Sequence, residues 1–125
     1  GALSSARQMC IRDSGAKVLQ IGVAYKQDID DYRESPALVV GDLLRKEGCD
    51  VTYYDPYIPE YKYKGNVYKG IDSISPEIVS KFDIVIVTSA HTKIDYDMIA
   101  KNAKVVFDTK NAMKAVADRS KIVLL

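Results

Sequence analysis

A chain of 125 residues, 47% hydrophobic and 28% charged, has room for one compact domain with a core of its own and little more. Its formal net charge of +1, spread along the chain, gives no electrostatic reason to expect nucleic acid or an anionic membrane as partner. No apolar stretch is long enough to span a bilayer, no signal peptide opens the sequence, and Cys10 and Cys49 have no motif spacing. Neither a disulfide framework nor a zinc site is therefore expected, and a reducing, cytoplasmic location fits.

The first fourteen residues stand apart. Met9-Cys10-Ile11-Arg12-Asp13-Ser14 reads like a translated sequencing-library adaptor, with Gly1–Gln8 an unrelated joined piece. The alternative is a remnant of a preceding region, since Ala2–Ile11 can wind as one helix. The segment is set aside from the fold reasoning, and the domain proper is taken as residues 15–125.

From there the elements follow in order. Val18–Ala24 is short, apolar and β-branched-rich, as a strand buried on both faces should be. A charged, irregular loop follows and ends at Ser35-Pro36, an N-cap followed by a proline at the first helical position. Ala37, Leu38, Val40, Gly41, Leu43 and Leu44 recur at helical spacing, Arg45 and Lys46 suit the last turn, and Gly48 supplies the stop. Asp50–Tyr54 is a second strand, ended by Asp55-Pro56. Tyr57–Gly70, rich in Tyr and Lys and broken by Pro59 and Gly65, reads as a surface excursion. Ser75-Pro76 opens a short helix through about Lys81, Asp83–Thr88 is a third buried strand, and Asp95–Asn102 a short helix. Lys104–Asp108 and Lys121–Leu125 are the fourth and fifth strands. Strands alternating with helices predict a three-layer αβα, Rossmann-like α/β domain with a mainly parallel sheet.

Such sheets bind ligands beyond the carboxyl ends of their strands. The corner after the first strand has Lys26 and Arg33 beside a helix N-terminus, which suits a phosphorylated ligand. It lacks the second and third glycines of a dinucleotide fingerprint, so an NAD site within this domain alone is not expected, and Asp55 reads as a turn initiator. Asp28, Asp30 and Asp31 lack the glycine and distal glutamate of a calcium loop; pairing with Arg33 and Lys26, or capping of backbone N–H groups, is the better reading. His91 is either a satisfied loop residue, the favoured reading, or an acid–base or ligand contact. Cys49 reads as a buried thiol, and Tyr53, Tyr54, Tyr57, Tyr61, Tyr63 and Tyr68 as packing residues. Lys110 and Asn111, at the end of the fourth strand, point to the same crevice as Lys26 and suit a ribose or uracil edge, or else form a capped turn.

Gly22-Val-Ala-Tyr-Lys26, Asp31-Tyr-Arg-Glu-Ser-Pro36, Tyr54-Asp-Pro56 and Asp108-Thr-Lys-Asn111 together resemble the C-terminal, UDP-binding domain of the UDP-glucose/GDP-mannose dehydrogenase family, from about Gly15 to Leu125. His91-Thr-Lys-Ile-Asp-Tyr96, followed by the Asp108 turn, looks most like the bacterial UDP-N-acetylglucosamine 6-dehydrogenase branch. The resemblance implies part of an oxidoreductase of polysaccharide biosynthesis that turns a sugar C6 alcohol into a carboxylate and consumes two NAD⁺. In the family an N-terminal Rossmann domain binds most of the NAD, a central region makes a homodimer or higher oligomer, and a catalytic cysteine carries the intermediate. This chain has none of those parts, so no catalytic residue and no metal ligand is expected in it, and alone it should oxidise nothing. By resemblance Lys26 contacts the substrate diphosphate, Tyr25 lies beside the nucleotide, and Arg33 reaches the NAD phosphates across the cleft. Lys110 stands where the family usually has an arginine on the uridine, and lysine cannot make the same planar, bidentate contact. UDP-glucose, UDP-N-acetylmannosamine and UDP-N-acetylgalactosamine are alternative substrates, and a non-catalytic structural module is the alternative of another class.

Overall fold

Strand β1 (Lys17–Ile21) is the centre from which the sheet is built in the computed structural model, which describes residues 1–124. It pairs in parallel with β2 (Asp50–Tyr54) on one side and with β5 (Ile84–Val87) on the other. Beyond β5 lie β6 (Val106–Asp108) and β7 (Ile122–Leu124), again parallel. The five predicted strands all form. Leu125, to which the sequence reading extends the last of them, lies outside the described residues.

Side chains alternate across the sheet, and each face has its own helices. Leu19, Ile21, Val85 and Val87 face α3 (Pro76–Ser80) and α4 (Tyr96–Asn102). Val18, Ile84, Ile86 and Phe107 face the other way, towards α1 (Ala2–Arg12) and α2 (Pro36–Lys46). The result is the expected three-layer α/β architecture. The Ser-Pro starts act as their chemistry predicts: Ser35 Oγ accepts from the Ala37 N–H at 3.2 Å and Ser75 Oγ from the Ile78 N–H at 3.2 Å.

The segment set aside as foreign to the domain is the cover of one sheet face. Ala2, Ala6 and Cys10, one helical turn apart, are fully buried and let α1 lie close to Ile84, Ile86 and Phe107. That placement corrects the reading of the cysteines. Cys10 and Cys49 form a disulfide with Cα atoms 5.3 Å apart at a sequence separation of 39. The pairing was invisible because it depends on α1 docking beside the turn from α2 into β2, not on a local spacing. The cysteine-based ground for a reducing compartment falls with it.

The stretch read as a surface excursion holds an antiparallel hairpin, β3 (Glu60–Tyr63) and β4 (Asn66–Lys69). Lys64 and Gly65 turn it, both with positive φ, as a two-residue hairpin loop requires. The hairpin brings Tyr61 into a cluster in which its ring lies 5.2 Å from those of Tyr53 and Tyr68. Arg45 of α2 stacks 3.9 Å over Tyr68 and donates to the Tyr61 hydroxyl at 3.2 Å. Burial pushes the Tyr53 and Tyr61 phenols above their ordinary range. The tyrosines are packing residues, as read.

Strand β1 stops at Ile21, short of the predicted Ala24, because Gly22 turns the chain at φ +83°. A Cβ on Gly22 would sit 2.5 Å from Ser89 Cβ and 2.7 Å from the Ser89 carbonyl oxygen. Both the backbone angle and the close approach thus demand glycine. Gly22→Ala is expected to lower stability by about 3–5 kcal/mol, the sum of a strained φ and an overpacked backbone contact. A drop in urea midpoint with an unchanged slope is the measurement; a variant within 1 kcal/mol or so of the parent would show that the contact yields easily.

Candidate functional site

Counting only the strands of the main sheet, their order is 2-1-3-4-5. The chain leaves β1 towards one edge and leaves β5 towards the other, so the carboxyl ends of β1 and β5 splay apart and leave a crevice between their loops. A recess of about 180 Å³ lies there, lined by Tyr25, Lys26, Thr88, Ser89, Ala90 and Lys110 among others. Lys26 comes from the loop after β1 and Lys110 from the loop after β6. Both are exposed, and neither ammonium has a carboxylate within ion-pair distance among the described residues. Two cations with no ion-pair partner among the described residues converge on one recess.

Arg33 stands apart from that pair. It lines an adjoining recess of about 410 Å³ with Tyr25, Asp31 and Glu34, so Tyr25 borders both. Its guanidinium donates to both oxygens of Asp31 at 3.1 Å. The bond to Arg33 holds the Asp31 carboxyl below the usual carboxylate range and raises Arg33 above its own. Both side chains are too exposed for the pair to contribute much stability.

Asp28 and Asp108 are committed to backbone donors, whereas Asp30 is exposed and its carboxylate takes no hydrogen bond or ion pair among the described residues. The Asp28 carboxylate accepts from the Thr92 N–H at 2.8 Å and the Thr92 hydroxyl at 3.1 Å. Asp108 accepts from the backbone N–H groups of Lys110, Ala112 and Met113 at 2.9–3.1 Å, so the turn carrying Lys110 is capped and also forms part of the recess. The capped-turn reading holds, and Lys110, but not Asn111, lines the recess. The metal alternative for the aspartate loop gains nothing: no group of three potential ligands occurs among the described residues.

One polar feature escaped the sequence reading. Thr88 and Ser89 hold the crevice shut at its floor. Thr88 Oγ1 bonds the Gly22 carbonyl, and Ser89 Oγ donates to the Ala24 carbonyl at 2.7 Å. Their signal was available: hydroxyl residues directly after a run of four buried apolar ones, at the end where ligands bind. His91 is fully buried; it contacts Asp55 at 2.8 Å through Nε2 and accepts from the Asp28 N–H at 2.8 Å through Nδ1. It is a satisfied loop residue, and Asp55 is buried beneath it, away from the recess.

The family model for the UDP-glucose/GDP-mannose dehydrogenase family, UDP binding domain, matches residues 19–115. The UDP-N-acetyl-D-mannosamine dehydrogenase of Methanocaldococcus jannaschii is 35% identical over 111 residues, taking in 82% of this chain and 24% of that protein. The UDP-glucose 6-dehydrogenase of Rhizobium meliloti is 28% identical over 95 residues, or 72% of this chain and 21% of that protein. Among solved structures, the UDP-N-acetyl-mannosamine dehydrogenase Cap5O of Staphylococcus aureus superimposes with a TM-score of 0.67 at 27% identity, covering 98% of this chain and 28% of that one. The chain spans about a quarter of the length of the curated relatives it matches.

Proposed function

Because the chain belongs to the UDP-glucose/GDP-mannose dehydrogenase family and forms its UDP-binding domain, we propose that the crevice between β1 and β5 holds the nucleotide diphosphate of a UDP-sugar. The observation that carries this is the convergence of Lys26 and Lys110, from different loops and without ion-pair partners among the described residues, on one recess. Lys26 is the diphosphate ligand, Tyr25 lies along the nucleotide, and Lys110 meets the uridine as a point charge rather than a planar fork.

Within a longer protein the domain serves an NAD-dependent oxidation of the sugar at C6. Its own residues fit NAD only at the edge. Gly22, the sole glycine of the corner, is filled against Ser89, so no bare backbone is left for a pyrophosphate. Arg33, exposed on the far side of Tyr25, is the side chain available to phosphates held by another domain. For the sugar, relatives named for UDP-N-acetyl-D-mannosamine support that substrate over the UDP-N-acetylglucosamine of the sequence reading. A homo-oligomer of the longer protein accords with the family. No helix among the described residues is long and apolar enough to cross a membrane.

Calorimetric titration of the 125-residue chain with UDP and with NAD⁺ tests the assignment. UDP is expected to bind and NAD⁺ to give no measurable heat. Lys26→Ala should cost about 1.5–3 kcal/mol of UDP affinity, the worth of a charge-assisted hydrogen bond, without changing the melting temperature. UDP binding that survives the substitution unchanged would move the diphosphate elsewhere.

A further inference from the structure

The loop that carries Tyr25 and Lys26 is exposed at its side chains and tied down at its backbone, and the ties converge on one buried pair. At its start the Val23 N–H donates to Asp55 Oδ2 at 2.8 Å. At its end the Asp28 N–H donates to His91 Nδ1 at 2.8 Å. Because Nδ1 accepts, the ring proton sits on Nε2 and is donated to the same Asp55 Oδ2, 2.8 Å away. The two ends of the six-residue segment 23–28 are thus joined through a single continuous path, Val23–Asp55–His91–Asp28. Return bonds reinforce it: the Thr92 N–H donates to Asp28 Oδ1 at 2.8 Å, and the Ala24 carbonyl accepts from the Ser35 and Ser89 hydroxyls at 3.0 and 2.7 Å. The imidazole cannot swing, since its Nε2 partner is fully buried, Tyr57 lies edge-on 4.9 Å away and the Tyr96 hydroxyl donates to the His91 carbonyl at 2.7 Å.

We infer that His91 is a positioning residue for ligand binding: it never touches the nucleotide, and it sets the loop geometry from which Tyr25 and Lys26 meet it. The inference rests on the nucleotide reading of the recess. Its physical basis is preorganisation. Two exposed side chains on an untethered loop would be ordered only at the moment of binding, and that ordering would come out of the affinity. The positive φ of Asp28, +62°, belongs to the same device, because it turns the N–H inward to the imidazole while the carboxylate caps Thr92.

The test compares His91→Leu, which removes both bonds, with His91→Gln, which keeps one acceptor and one donor on a side chain of similar reach. In the 125-residue chain, UDP affinity should fall about 10-fold or more in the leucine variant and stay within roughly 3-fold of the parent in the glutamine variant. Equal binding by parent and leucine variant, or an equal loss in both variants, would overturn the proposal. Amide hydrogen exchange of the unsubstituted chain without ligand decides the tether even if the leucine variant does not fold. The Asp28 amide should exchange at least about 10-fold more slowly than those of Lys26 and Gln27, and equal rates would refute the tether. If the parent binds no UDP, the nucleotide reading fails. The proposal of a ligand-positioning His91 then fails with it, while slow Asp28 exchange would leave the tether itself standing as a feature of the fold.

Discussion

A chain shortened to residues 15–125 is expected to lose cooperative folding. Helix α1 covers Ile84, Ile86 and Phe107, none more than 2% exposed, and contributes Ala2, Ala6 and Cys10 at zero exposure. Uncovering three large apolar side chains costs on the order of 1.5–3 kcal/mol each. The loss of Cys10 removes the disulfide, worth about 2–4 kcal/mol for a loop of this size. Together these consume most of the roughly 5–15 kcal/mol by which a domain is stable. Circular dichroism melts and gel filtration of the two lengths provide the measurement. A sharp transition and a monomeric elution for residues 15–125 would show that α1 is an appendage. Cys10→Ser in the full chain separates the two contributions, because it keeps the cover and removes only the bond between α1 and the turn at Cys49.

The second large effect is expected at Asp55. Its carboxylate accepts three buried hydrogen bonds: Oδ2 from the Val23 N–H and from His91 Nε2, each at 2.8 Å, and Oδ1 from the Tyr57 N–H at 2.8 Å. Asn has the same shape and still cannot serve. One of its two ends is a donor, which must then face either the Tyr57 N–H or the Val23 N–H. A switch of the His91 tautomer does not rescue the second orientation, because a proton on Nδ1 would confront the Asp28 N–H. Asp55→Asn should therefore destabilise by about 2–4 kcal/mol, and Asp55→Ala, which leaves all three donors unpaired, by about 3–5 kcal/mol or more. Urea unfolding resolves both. Equal stability of Asn and the parent would mean that the site accepts an amide and that one of the two backbone donors, Val23 or Tyr57, does not depend on the carboxylate.

Much of this architecture is legible in the sequence because it is written locally. Apolar runs such as Ile84–Val87 and the Ser-Pro helix starts carry their own signals within a few residues, and each produced the expected element. The hairpin is also written locally, in the alternation of Glu60, Tyr61, Lys62 and Tyr63 before Lys64-Gly65, but Pro59 and Gly65 read equally as breakers and the period of two spans only four residues. Helix α1 is the converse case, and it forms as the alternative reading of that segment has it. The Ala2, Ala6, Cys10 spacing marks a face fit for close packing, and the peculiar composition of residues 9–14 outweighed it. The site divides in the same way. Lys26, Tyr25 and Lys110 are adjacent to strand ends and could be placed in one crevice from topology alone. The support beneath them could not. His91 meets Asp55 and Asp28 across 36 and 63 residues of sequence, and no periodicity or composition reports on bonds that exist only once the sheet has brought three loops together.

The position of the disulfide has a topological result for the working loop. Residues 10 and 49 are its ends, and the segment bearing Tyr25, Lys26 and Arg33 lies wholly between them. That segment is therefore an arc of a covalent ring. A single proteolytic cut within it would yield two pieces that migrate as one on a non-reducing gel and separate only after thiol treatment. The same closure makes the loop a natural place to open the chain, since new termini introduced there would remain linked through Cys10 and Cys49.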